Sequence, residues 1–288
     1  MLTSSIRGSR SLGFWVVIAG AVLWVVSFAT LLVVSPLGTA VSSDPGAEAV
    51  SYWVALLPSV VGIALVLLIP RRSSPRTAVV RERRPFAITT VVLLVLAVLF
   101  PLVCAVIPLR GELYILGKLI LLIMLPAVVL LLVRRGVRID FRKSAARWWA
   151  PAIVIVIWTV LSQVAPWNPT FTIEGLDPVF VVTAAVATAL TAGVGEELFY
   201  RRWLQTRLEA GLGAWSGIVI ASLAFALMHL GSHGTGDFLI DVARVIVIQG
   251  SFGLFLGIMW WRYRNLTANV IVHVFANGWA VGAALLAG

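Results

Sequence analysis

The 288-residue chain carries little charge: 12% of its residues are Asp, Glu, Lys or Arg, while 60% are hydrophobic. A chain so poor in polar surface cannot be a soluble globular domain, and its segments must be solvated by lipid. It has one cysteine, Cys104, so no intramolecular disulfide can form, and the thiol reads as a small packing group. Histidine occurs three times, which confines imidazole chemistry to His229, His233 and His273. Neither a G-x-S-x-G nor a Walker pattern occurs, which removes the usual serine-hydrolase and ATPase readings. No repeat of fixed period is visible, so a common mark of secondary transporters is missing too.

What is present is a series of long apolar runs, at about 12–36, 51–70, 86–109, 114–133, 148–165, 178–196, 213–231, 238–261 and 266–287. Each is near the ~20 residues that an α-helix needs to cross the hydrocarbon core. Closed barrels would show short alternating strands instead. The expected fold is therefore all-α, a polytopic transmembrane helix bundle of about nine spans, with eight as the lower count. The first run follows Arg7 and Arg10, but it is too long for a signal peptide and lacks a prompt small-residue cleavage site, so it is expected to be a retained helix.

The net charge of +10 is distributed by connection. Arg71, Arg72, Arg76, Arg81, Arg83 and Arg84 crowd the second, and Arg134, Arg135, Arg138, Arg142, Lys143 and Arg147 crowd the fourth. Arg201, Arg202 and Arg207 follow the sixth run, and Arg262 and Arg264 the eighth, while 37–50, 166–177 and 232–237 hold no cation. This alternation is the positive-inside pattern: it places the amino terminus in the cytoplasm and the carboxyl terminus outside. The expected setting is the plasma (inner) membrane of a bacterium, with membrane lipids and a membrane-associated peptide or protein as partners. The basic charge serves topology and anionic lipid, and no nucleic acid is implied.

The two halves differ in character. The first four runs are Leu, Val and Ile with almost nothing polar at depth except Lys118, whereas most intramembrane polar residues come after residue 190. The division expected is a packing half, 1–177, and a working half, 178–288. Between the sixth and seventh runs, RRWLQTRLEAGLG spaces Trp203, Leu204, Leu208 and Leu212 near the helical period, with Arg202, Gln205, Arg207 and Glu209 between them. That pattern predicts an amphipathic helix lying on the cytoplasmic surface. Gly253 and Gly257, four apart in the eighth run, predict a close helix–helix approach.

Ionisable groups at membrane depth are costly, about 2.5–3.5 kcal/mol each on insertion scales, so each needs a reason. Glu196 and Glu197 end the sixth run. Arg201 lies four residues beyond Glu197, on the same helical face and within pairing reach, while Glu196 points about 100° away. Phe225 and His229, and His273 and Asn277, repeat the four-residue spacing on two further helices. A carboxylate held away from water can act as a general base on a water molecule, and an imidazole with an amide can stabilise an oxyanion. Alternatively, Glu196, His229 and His273 form a Glu/His/His set of the kind that binds zinc. Both routes end in hydrolysis, with peptide bonds the obvious substrate class, and residue types alone leave the cofactor open between zinc and none.

EELFYR, FALMH and HVFAN match, in order and on successive membrane helices, the EExxxR, FxxxH and HxxxN motifs. In this the sequence resembles the CAAX-processing and bacteriocin-processing (type II CAAX prenyl endopeptidase, or Abi) family of intramembrane proteases over about 190–280. The resemblance implies a CAAX-protease-like endopeptidase that cuts near the end of a membrane-associated substrate, prenylated in the eukaryotic case. It further implies Glu196 as activator of water with help from His229, His273 and Asn277 as oxyanion donors, and Glu197 and Arg201 as braces.

One expectation conflicts with this. If the seventh helix starts near Gly213, His229 lies roughly 24 Å along its axis, far from a Glu196 near the cytoplasmic face. The two can meet only if that helix starts outside the bilayer or a segment is tilted or re-entrant.

Rival readings are weaker. The polar pairs could be helix-packing bridges of a non-catalytic immunity or scaffold protein, or of a transporter. Gly234-Thr235-Gly236-Asp237 matches the GxGD of intramembrane aspartyl proteases, but no second membrane aspartate stands on another helix. His233 reads as a loop histidine, Asp241 and Arg244 as partners of each other or of the site's rim, and the sequon at Asn265 as chance.

Overall fold

A computed structural model describes residues 2–41, 49–69, 78–107, 109, 111–133, 137–138, 148–169, 175–230 and 237–287. Over these the chain is an all-α helix bundle, with helices at all nine apolar runs. They are α1 (Leu2–Val34), α2 (Tyr52–Leu68), α3 (Arg83–Val106), α4 (Glu112–Leu132), α5 (Trp149–Val164), α6 (Pro178–Leu212), α7 (Ala214–Leu227), α8 (Phe238–Tyr263) and α9 (Leu266–Ala287). Six are long and apolar enough to cross a membrane; α2, α5 and α7 are shorter apolar helices. The protein is therefore an integral membrane protein. His233 and the first three residues of the GxGD match lie outside the described residues.

Two small antiparallel pairs tie the connections. Thr39–Ala40 pairs with Ala49–Val50 between α1 and α2, and Val79–Val80 pairs with Val137–Arg138. The second pair joins the two arginine-rich connections, so both emerge at the same end of the bundle. Arg262 at the end of α8 donates to the Ile69 carbonyl after α2, and Arg207 Nε on α6 donates to Thr89 Oγ1 on α3 at 3.0 Å. The cationic connections thus gather at one end, the segregation that the charge pattern required.

The core forms around α8, 67% of whose most apolar stretch is buried, against 17–28% for the other long helices. One cluster joins Val66, Trp158, Ile218, Phe255 and Val272 from five helices, and a second joins Phe100, Leu122, Phe199 and Phe225. Gly253 and Gly257 provide the close approach expected of them. A Cβ on Gly253 would lie 3.2 Å from Phe225, and one on Gly257 would lie 3.0 Å from Gln205 and 3.2 Å from Ile218. Asp237 caps α8, its Oδ1 accepting from Leu239 N at 3.0 Å and Ile240 N at 3.2 Å. Asn265 Oδ1 accepts from Ala268 N at the start of α9 (3.1 Å), a local structural use of the sequon asparagine.

The segment 201–213 departs from expectation. It is not an amphipathic helix on the membrane surface but the last turns of α6, which runs unbroken for 35 residues from Pro178 to Leu212. Gln205, Thr206 and Glu209 are buried against partners that the local pattern does not reveal, while Arg202 and Arg207 are half-buried. Gln205, with no exposure, donates from Nε2 to the Gly257 carbonyl and to Glu209 Oε1, both at 2.8 Å. Glu209 pairs with Arg264, and Thr206 Oγ1 accepts from Trp260 Nε1 at 3.2 Å. Polar residues satisfied by α8 belong to the interior, so the polar face that would suit a surface helix is here a seam between helices.

The chain reverses at Gly213, whose φ of +95° is a conformation that glycine adopts without the Cβ strain other residues incur. The antiparallel register of α6 and α7 follows from that turn. Glu209 and Gly217 are each four residues from it, and they touch: a Cβ on Gly217 would lie 2.6 Å from Glu209 N. Arg201 and Phe225 are each twelve residues from it, with the Arg201 guanidinium carbon 4.7 Å from the Phe225 ring centroid. Glu196 is 17 residues before the turn and His229 is 16 after it, which brings the two to the same level. The depth conflict disappears because α6 reaches as far beyond Glu196 as α7 needs to return.

Candidate active site

Over Ala189–Gln205 α6 is wound with i→i+5 hydrogen bonds, a wider coil than the α-helix. Glu196, Glu197 and Arg201 all lie in this stretch and are almost wholly buried, at 1%, 0% and 0% exposure. Such burial is tolerable only where each charge has a partner.

Glu197 is held from three sides. Arg201 Nε stands 3.3 Å from its Oε2, a charge contact without an aligned hydrogen bond. Asn269 Nδ2 donates to Oε2 at 3.1 Å and to the Leu256 carbonyl at 2.9 Å, tying α6, α8 and α9 together. His273 Nδ1 lies 2.9 Å from Glu197 Oε1. An ionised carboxylate only accepts, so this contact assigns a ring hydrogen to Nδ1; in the Nδ1–H tautomer of a neutral ring, Nε2 carries a lone pair.

Glu196 faces the other way. Lys118 of α4, 7% exposed, donates from Nζ to Glu196 Oε1 at 2.6 Å. Glu196 Oε2 is buried without a hydrogen-bond partner and lies 3.8 Å from His273 Nε2. Two acceptors at that separation can both be reached by one water donating a hydrogen to each at about 2.8 Å. Buried polar atoms without a hydrogen-bond partner cluster here: Glu196 Oε2, Tyr200 Oη, Arg201 Nη1 and Nη2, and Asn269 Oδ1.

The Phe225 ring forms one wall, its centroid 5.8 Å from that of His273 and 4.9 Å from that of His229. His229, half-buried at the end of α7, therefore stands beside the site, with Nδ1 2.8 Å from the Phe225 carbonyl. That contact makes Nδ1 the donor. Asn277 lies one turn further along α9, exposed, its Nδ2 donating to the His273 carbonyl at 3.2 Å. The structure thus brings Glu196, Glu197, Arg201, Phe225 and His273 together, sets His229 against the wall they share, and leaves Asn277 on an open rim.

Among the described residues, no three His, Cys, Asp or Glu side chains converge so as to hold a metal ion. Within the Glu196, His229, His273 set, Lys118 occupies Glu196 Oε1, while Oε2 faces His273 Nε2 at 3.8 Å.

Two contributors were not singled out from the sequence. Asn269 was legible in principle, because Asn269, His273 and Asn277 recur every four residues along one face of α9. Lys118 had only the signal of a lone cation in an apolar run. Elsewhere, Arg244 Nη2 pairs with Asp241 Oδ1 at 3.2 Å within α8, as expected.

Residues 178–279, about a third of the chain, match the family model described as "Type II CAAX prenyl endopeptidase Rce1-like". The resemblance carried by EELFYR, FALMH and HVFAN therefore stands for that segment, and the match supports a membrane protease. No curated protein and no solved structure matches the chain.

Proposed function

We propose that the protein is an intramembrane endopeptidase of the glutamate type, hydrolysing a peptide bond near the end of a membrane-associated, lipid-bearing substrate. The observation that carries this reading is the buried pair Glu196 Oε2 and His273 Nε2, 3.8 Å apart, with Glu196 Oε2 lacking a hydrogen-bond partner. A water held between them has its lone pairs directed away from both acceptors, free to attack a carbonyl carbon. Glu196 Oε2 takes the water's proton as the oxygen adds, and returns it to the amide nitrogen as the C–N bond breaks. The Glu197 carboxylate keeps the His273 ring turned and in the Nδ1–H tautomer, as a buried carboxylate does for a catalytic imidazole.

The oxyanion would form on the open side, where Asn277 has a second amide hydrogen to offer and His229, when protonated, would add an Nε2–H. Entry of the substrate from lipid agrees with the apolar bundle exterior, and the arginine-bearing end of the bundle would face the cytoplasm.

The test uses the purified protein in lipid nanodiscs with peptides tethered to the bilayer by a terminal lipid. Cleavage by the wild type, lost in Glu196→Gln and unaffected by a chelator, is the expected result. Cleavage that persists in Glu196→Gln refutes the mechanism, and cleavage abolished by chelator alone returns the site to metal chemistry.

A further inference from the structure

We propose that Lys118 is a positioning residue of this site, contributed by α4 from outside the segment that matches the endopeptidase family. Its ammonium fixes Glu196 Oε1, so that Oε2 is the oxygen turned to His273, and it supplies the positive charge that balances Glu196. The inference rests on the reading of Glu196 as the base.

Three observations carry it. Lys118 is buried in a helix that runs Leu, Tyr, Ile, Leu and Gly before it and Leu, Ile, Leu, Leu, Ile and Met after it, where a lysine needing only solvent would have no reason to stay. Its Nζ meets Glu196 Oε1 at 2.6 Å and stands 4.6 Å from the Tyr114 ring centroid, one turn back on the same helix, which limits the ammonium to the side facing α6. Finally, α4 and α6 pack closely beside the contact: at Gly195, the residue before Glu196, a Cβ would lie 2.4 Å from Ile123 Cδ1 of α4.

The lysine, the arginine and the two carboxylates then form two pairs on either side of the His273 imidazole. Lys118 matches Glu196, Arg201 matches Glu197, and His273 lies between the carboxylates, 3.8 Å and 2.9 Å from them. Remove Lys118 and one guanidinium must serve two buried carboxylates. Glu196 would be free to rotate its oxygens or swing toward Arg201, and the Oε2–Nε2 gap that holds the water would no longer be defined. The N-terminal half, read from the sequence as packing, thereby supplies part of the site.

The experiment uses full-length protein in nanodiscs, as wild type, Lys118→Met, Lys118→Arg, Glu196→Gln and the double Lys118→Met/Glu196→Gln. In thermal unfolding, Lys118→Met is expected to melt below wild type and the double variant to recover most of the loss, because the second change removes the orphaned carboxylate. In cleavage of a tethered peptide, Lys118→Met is expected to lower kcat by on the order of 100-fold with KM within about twofold, the cost of a misplaced reacting group. Lys118→Arg, which keeps a cation beside Oε1, should restore part of kcat; a merely structural lysine would give no such split.

A Lys118→Met enzyme with kcat within about threefold of wild type, beside an inactive Glu196→Gln, overturns the inference and leaves the protease reading intact. Absence of recovery in the double variant overturns it as well. If the wild type cleaves no tethered peptide, the protease reading falls, and recovery in the melting cycle decides alone whether Lys118 holds Glu196.

Discussion

Arg201→Met removes the guanidinium in contact with Glu197 and keeps the volume and flexibility of the side chain. The arginine has no exposure and neither has Glu197, so water cannot replace the lost charge without opening the bundle. Orphaning one partner of a buried ion pair costs about 3–5 kcal/mol. Here the lower end applies, because His273 Nδ1 at 2.9 Å and Asn269 Nδ2 at 3.1 Å remain on the carboxylate. The cation–π contact with Phe225 at 4.7 Å adds little to the difference, since a methionine sulfur also packs favourably on a ring. A loss of about 3 kcal/mol corresponds to a fall in melting temperature on the order of 5–10 °C for a chain of this size. The assay is thermal unfolding in nanodiscs, followed by the fluorescence of the 12 tryptophans. Adding Glu197→Gln should recover more than half of the loss, because an amide needs no counter-charge. Melting of Arg201→Met within about 1 °C of wild type refutes this coupling, and so does an equal cost of the substitution with Glu197→Gln present.

Other substitutions test separate links. Asn269→Leu removes the bond that ties Glu197 to the Leu256 carbonyl across α8 and α9; it should destabilise by about 1–3 kcal/mol and lower kcat more than KM, read by unfolding and steady-state cleavage. Gly217→Val pushes a side chain into Glu209 N, where even a Cβ would lie 2.6 Å away. It should cost about 1–3 kcal/mol by overpacking and disturb the pairing of α6 with α7, and an unchanged melting temperature would contradict that register. Asn277→Ala, on the exposed rim, should leave the melting temperature within about 2 °C of wild type while reducing cleavage roughly 10²-fold, as loss of an oxyanion donor does. Wild-type cleavage by that variant would remove Asn277 from the mechanism.

The sequence by itself determined the solvent and the secondary structure. Apolar runs of span length force helices, because lipid satisfies no backbone group, and helices form at all nine of them. The pairing of Glu197 with Arg201 and the alignment of Phe225 with His229 were legible as well, since both depend on spacing along one helix. Tertiary structure decided what faces those helices. The stretch 201–212 has the composition of a surface helix, and only Gly257, Trp260 and Arg264 of α8 turn its polar side inward. Glu196 and His229 share a level because the turn at Gly213 folds two lengths of chain into register, a relation that no local pattern encodes. Lys118 and Glu196 are 78 residues apart and meet where α4 packs closely against α6. Local spacing is set by bond geometry and can be read from the chain, whereas the partner of a buried charge is set by packing between helices distant in sequence.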